Sequence, residues 1–234
     1  MNLRHPAYII GFMVGAAALV GAAVTGLTLA TRPLVERNQA LGRQQALLRL
    51  FRLADPDRLT VAEVNRLVQS RIDETRTLHD PETGWETPLI QAYADDARTQ
   101  VAGYAIRFRG LGFWAPIEGL LAISADRQKT IGLVILAHTE TPGLGGRIAE
   151  PIFTDQFAAG LNLQPPPGGK PLYLTATAPE PGTPAHGRSI LAITGATQTC
   201  MAMERILNAQ VTRFQRAMAV AAPAPAAPQT GGAR

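Results

Sequence analysis

From Tyr8 to Ala30 the chain reads YIIGFMVGAAALVGAAVTGLTLA, twenty-three residues without a charge. At about 1.5 Å of rise per residue, a helix of this length crosses a bilayer core of roughly 30 Å. The segment is therefore either a retained anchor or a cleaved secretory signal. Signal peptides carry a shorter core of roughly 7–15 apolar residues, and this run passes straight into a helical pattern, which favours a single N-terminal transmembrane helix. Arg4 precedes the run, while Arg32, Arg37, Arg43 and Arg49 follow it. Positive-inside counting would put the following domain in the cytoplasm, but that count loses force when a long domain follows.

The rest of the composition narrows the partners. The formal charge is +4, and hydrophobic residues make up 46% against 17% charged. The basic residues are scattered single arginines, with no Lys/Arg cluster or interleaved aromatics, so nucleic acid is not the expected partner. The one cysteine, Cys200, excludes an internal disulfide framework and a structural zinc site. His5, His79, His138 and His186 have no metal-ligand spacing, so no metal site is expected.

Past the apolar run, Pro33–Phe51 keeps a helical pattern, with leucines at 34, 41, 47, 48 and 50. A second helix is expected at Thr60, where Thr60 and Glu63 have capping-box spacing before Val64, Leu67 and Val68. Four short β-branched or apolar runs follow: Val101–Phe108, Ile117–Ile123, Thr130–Ala137 and Pro171–Thr177. Ser124-Ala125-Asp126-Arg127 suits the turn between the second and third. Glu150–Leu161 reads as helix, and a last helix runs from Thr197 to Met218. Its Cys200, Met203, Leu207, Val211 and Phe214 recur every three or four residues, one face turned to a core. From Ala219 the sequence AVAAPAPAAPQTGGAR reads as a disordered tail. The expected fold class is α+β, a small, mostly antiparallel sheet with packed helices behind a membrane anchor. The expected divisions are an anchor over 1–31, a membrane-proximal helical region over 32–98, a globular domain over 99–218 and the tail over 219–234.

Three segments depart from ordinary scaffold. In Gly110–Ile117, GLGFWAPI, two glycines precede a tryptophan; a core tryptophan beside a turn is the plain reading. In Glu140–Arg147, ETPGLGGR, Pro142-Gly143 favours a turn and the later glycines expose backbone amides to a neighbour. In Ile193–Thr199, ITGATQT, small residues stand before a hydroxyl at the start of the last helix. There the helix dipole and free amides favour a phosphate, and the alternative is a plain N-cap at Thr194 or Thr197.

Together, and in this order, the three segments resemble the FMN-binding family shared by the Rnf electron-transport complex (its G subunit) and the sodium-pumping NADH:quinone reductase (its C subunit). That family has one N-terminal transmembrane helix, a G-x-G-x-W segment, an ETPGLG loop and a late S/T-G-A-T motif. Here the motifs are Gly110–Trp114, Glu140–Gly145 and Thr194–Thr197, within a likeness covering residues 100 to 215. The resemblance implies an FMN joined by a phosphoester to Thr197, installed by a separate flavin transferase. It implies that Thr194, Gly195 and Ala196 flank the linkage, and that Trp114, Glu140, Thr141, Gly143, Leu144 and Gly145 surround the flavin. Arg147 and Lys170 are further candidates for charge near the flavin or its phosphate.

The same resemblance implies an electron relay with no independent catalysis, set among integral membrane subunits of an Rnf- or NADH:quinone-reductase-type complex and leaning to the Rnf side. It places the chain in a bacterial inner membrane with the FMN domain on the periplasmic side. One position departs from the pattern: Leu191 stands where the transferase motif has aspartate. Three readings remain open: covalent FMN, FMN held without a bond, and a cofactor-free assembly subunit on the same fold. A regulatory flavin sensor is disfavoured by the lack of an output domain.

Overall fold

A computed structural model describes residues 6–221 of the chain. The chain divides after Gln45 into two compact units. The first lies within one helix, α1 (Pro6–Leu50), which runs through Pro33 without a break and is long and apolar enough to cross a membrane. Its Phe12, Leu19 and Leu27 are exposed. The Thr28 and Thr31 hydroxyls donate to the carbonyls of Val24 and Leu27 at 2.8 and 2.9 Å, so these polar groups are satisfied within the helix.

The second unit begins at the last turn of α1. A short 3₁₀ turn at Pro56–Arg58 leads to α2 (Val61–Arg71). The expected capping box is there: the Thr60 hydroxyl accepts from the Glu63 amide, and the Glu63 carboxyl accepts from the Thr60 amide. Five strands follow: β1 (Ile72–Asp80), β2 (Trp85–Tyr93), β3 (Val101–Leu111), β4 (Pro116–Ser124) and β5 (Thr130–Ala137). They pair in chain order as an antiparallel meander. Short turns at Gly145–Ala149 and Asp155–Ala159 flank α3 (Pro151–Thr154). A small parallel pair, β6 (Tyr173–Thr175) and β7 (Ser189–Leu191), precedes the closing helix α4 (Thr197–Ala221).

The period-two alternation of the strands divides the core into two layers. Ile106, Phe108, Leu121 and Ile123 face the layer holding Met203, Leu207, Val211 and Phe214 of α4. Ala105, Leu120 and Ala122 face the layer holding Leu47, Leu50, Phe51 and Ile72. All five apolar positions expected on one face of the last helix are buried. Truncating a fully buried phenylalanine such as Phe214 to alanine costs about 3–5 kcal/mol.

The α+β architecture with a mostly antiparallel sheet agrees with expectation, and four details differ. The stretch 32–98 is not wholly helical, because residues 72–93 form the hairpin β1–β2. β1 is an edge strand whose sequence IDETRTLHD buries only Ile72, Leu78 and Asp80, too few to print an apolar alternation. The segment 150–161 is turns around a four-residue helix, stopped by Gly160 at φ 83°. Of Pro171–Thr177 only three residues are strand, paired in parallel with 189–191. The last helix runs three residues beyond Met218, and the remainder of the proposed tail lies outside the described residues.

Candidate functional site

The three singled-out segments converge at the N-terminal end of α4. The first is the tip of the β3–β4 hairpin, closed by the Gly112 amide donating to the Ala115 carbonyl at 3.0 Å. Gly110 lets this hairpin lie against α4, since a Cβ there would come within 2.5 Å of Ile206 Cγ1. Phe113 and Trp114 project from the tip, their rings 4.8 Å apart and edge to face at 67°, with Trp114 64% exposed.

The second segment follows β5. His138 Nδ1 accepts the Glu140 amide at 3.2 Å, and the chain turns at Gly143, φ 74°. The Leu144 and Gly146 amides both donate to the Thr141 carbonyl, which closes the loop. Trp114 Nε1 donates to the Thr141 hydroxyl at 3.1 Å and ties the two loops together. Glu140 lies beneath them, 4% exposed. Its Oε1 accepts the amides of Phe113 at 2.8 Å and Trp114 at 3.3 Å, and its Oε2 accepts the Thr199 hydroxyl at 2.7 Å.

The third segment turns at Gly195, φ 81°, into α4. The Ala196 carbonyl accepts the first helical bond, from the Cys200 amide at 2.9 Å, so the cap position belongs to an alanine. Neither Thr194 nor Thr197 is the cap, because Thr197 is the first residue of the helix and Thr194 stands in the turn before it. An alanine has no side-chain oxygen to offer, which leaves the first-turn amides and the positive end of the helix dipole directed at whatever lies before them. Cys200 is a packing residue: its Sγ accepts the Ile193 amide at 3.3 Å, and burial pushes its thiol above the usual range.

Between these segments lies a cavity of about 280 Å³. Glu140, Thr141, Leu144, Gly145, Gly195, Ala196 and Thr197 line it, which brings together seven of the ten expected site residues. Trp114 stands beside it through Thr141, and Gly143 shapes the loop without lining it. Thr194 faces a neighbouring cavity of about 360 Å³, with Arg147, Gln156 and Leu191. Lys170 is not among the lining residues; it pairs with Glu204 and lies over the Tyr173 ring. Phe113, Gln198 and Thr199 also line the cavity, and the sequence motifs do not mark them as site residues. Thr199 has a signal available, a hydroxyl two residues into the last helix on the side opposite Thr197.

The residues present suit FMN. The cavity lies just under the roughly 300–1,000 Å³ typical of ligand pockets, so a tricyclic ring would be held in part and exposed in part. Its walls are aromatic and aliphatic at Phe113 and Leu144, and glycine at 145 and 195 keeps the backbone close. The first-turn amides of α4, preceded by an alanine with no side-chain cap, adjoin the cavity and suit a phosphate.

The chain is similar to known proteins in sequence and in fold. Residues 112–212 match the family model described as an FMN-binding domain. The C subunit of the Na(+)-translocating NADH-quinone reductase of Pseudomonas aeruginosa is 23% identical over 219 residues, covering 79% of this chain and 83% of that protein. The G subunit of the Na(+)-translocating ferredoxin:NAD(+) oxidoreductase complex of Acetobacterium woodii is 30% identical over 137 residues, and the match covers 57% of this chain and 60% of that protein. Among solved structures, the C subunit of the Na(+)-translocating NADH-quinone reductase of Parabacteroides distasonis shares the fold, with a TM-score of 0.63 at 20% identity over 79% of this chain and 95% of that one. Residues 112–212 thus match the FMN-binding domain family, in a chain similar to these C and G subunits.

Proposed function

We propose that this protein is an electron-transfer subunit of an ion-translocating membrane redox complex and carries FMN as a phosphoester on Thr197. The observation that supports it most is the position of Thr197, an exposed hydroxyl at the first residue of α4 that opens onto the cavity. FMN, when bound, supplies one- and two-electron chemistry, and the protein has to orient it, tune it and limit water. Phe113 and Leu144, with Trp114 beside them through Thr141, would hold the ring, the Thr141–Gly145 loop would offer backbone polar groups to it, and the first-turn amides of α4 would receive the phosphate. Arg147 lines the adjoining cavity, not the one at Thr197, and is paired with Glu150 at 3.2 Å.

A threonine hydroxyl is a weak nucleophile that needs a base. The carboxyl in the cavity, Glu140, is occupied by three donors, so attachment is assigned to a flavin transferase acting in trans. In this reading α1 is a single-pass anchor in a bacterial inner membrane, with residues 99–218 on the periplasmic side, where a covalent bond prevents loss of the flavin. The partners are the integral membrane subunits of an Rnf- or NADH:quinone-reductase-type complex, as the names of the relatives suggest. A second reading, a cofactor-free assembly subunit, draws on Leu191, which is 47% exposed where the transferase motif has aspartate.

The test is the intact mass of the full-length protein co-expressed with a flavin transferase, beside Thr197→Ala. An added mass of FMN less water, absent from the variant, supports the covalent relay. Flavin that is released on denaturation points to a pocket without a bond. No flavin at all gives the lead to the assembly reading.

A further inference from the structure

Glu140 and Thr199 are both buried, 4% and 3% exposed, and bonded to each other at 2.7 Å. A carboxyl group offers roughly four lone-pair sites, and three are used inside the protein: two by the hairpin-tip amides and one by Thr199. Two glycines make room for this arrangement. A Cβ on Gly112 would come within 2.4 Å of Glu140 Oε1, and one on Gly145 within 2.4 Å of Thr199 Oγ1 and 2.9 Å of Glu140 Oε2. One carboxyl therefore joins the β3–β4 tip, the loop after β5 and the first turn of α4.

Thr197 and Thr199 are two residues apart, so their side chains leave the helix about 200° from one another. A bond that holds Thr199 inward fixes the rotation of that turn and, with it, the outward direction of the Thr197 hydroxyl. We infer that Glu140 and Thr199 are positioning residues of the flavin site: Glu140 braces the pocket from within, and Thr199 aims Thr197. The inference rests on the reading of Thr197 as the FMN acceptor. It also separates the two hydroxyls, because Thr199 is committed to Glu140 and Thr197 is the one presented at the surface.

The test compares Thr199→Val, which keeps the shape and loses the donor, with Thr199→Ser, which keeps the donor. Full-length protein is co-expressed with the transferase. Three readouts are followed: the rate of FMN addition by intact mass, the visible flavin band, and the near-ultraviolet circular dichroism of Trp114, which needs no flavin and is isolated from that of Trp85 by carrying every variant in a Trp85→Phe background. The expected result is about tenfold slower addition in Thr199→Val, the loss of one buried hydrogen bond. A shifted flavin band and an altered Trp114 signal should accompany it, with all three restored in Thr199→Ser. Folded Thr199→Val with wild-type loading, band and Trp114 signal would overturn the inference. Should Thr199→Val not fold, Glu140→Gln is set beside wild type, and wild-type values in all three readouts overturn it equally. If wild type itself takes no FMN, the acceptor reading fails, and the Trp114 signal of Val against Ser still decides the brace.

Discussion

The two ends of α4 are each tied to the sheet by a buried carboxyl, with different partners. At the C-terminal end, Asp80 is fully buried and accepts Arg216 at 2.9 Å and the Thr83 hydroxyl at 2.6 Å; Arg216 also reaches Glu82. At the N-terminal end, Glu140 accepts two backbone amides and a hydroxyl and meets no cation among the described residues. The far end clamps the Arg216 side chain of α4 to Asp80, which also takes the nearby Glu82 amide at 3.2 Å, and its loss frees a helix end. The near end fixes backbone, and its loss changes the shape of a cavity wall. Burial alone therefore does not tell a stabilising carboxyl from a site-building one; the identity of the donors does.

Substitutions should separate the two ends. The largest effect is expected for Glu140→Ala, which strands three donors and should cost about 3 kcal/mol, a fall of roughly 10 °C in Tm by circular dichroism, together with flavin loading. Gly145→Ala follows, at about 1–3 kcal/mol, because its methyl displaces Thr199. Asp80→Asn should lower Tm yet leave FMN loading at the wild-type level; a loss of loading would erase the distinction between the ends. Leu191→Asp should change stability least, within about 0.5 kcal/mol at an exposed position. Its backbone is held on both sides by Gln156, so faster flavin addition in that variant would report recognition by the transferase and not refolding of the strand.

Acid gives a finer comparison. The Thr83 hydroxyl, with help from the Glu82 amide and Arg216, holds the Asp80 carboxyl below the usual carboxylate range against the opposing effect of burial. A carboxyl lowered in the folded state contributes fully above its unfolded value of about 3.9, and that contribution fades as pH falls through the folded value. Wild-type Tm should thus drop more steeply than that of Asp80→Asn below about pH 4. Parallel pH profiles would remove Asp80 from the account of acid stability.

How much is legible in the sequence follows from how each element signals itself. α4 is readable because Cys200, Met203, Leu207, Val211 and Phe214 repeat at helical spacing and all reach the core. β5 can be placed to the residue because it is apolar and bounded by a turn. β1 escapes the pattern because, of its buried positions, only Ile72 and Leu78 are apolar while Asp80 is charged, and a register shift between Asp73 and Arg76 breaks the period. The motif glycines and threonines stand out in sequence, but their division of labour does not. That Thr194 and Thr197 open onto different cavities depends on the turn at Gly195, and Thr199 joins the site only through Glu140, far away in the chain.

The strands pair in the order in which they are made, and α4 is the last described element. A ribosome therefore releases both cavity walls, at 113 and at 140–145, well before it releases Thr197. The cavity that Thr197 opens onto exists only once α4 docks on the sheet, so the pocket and its threonine are completed together, as the last step of folding.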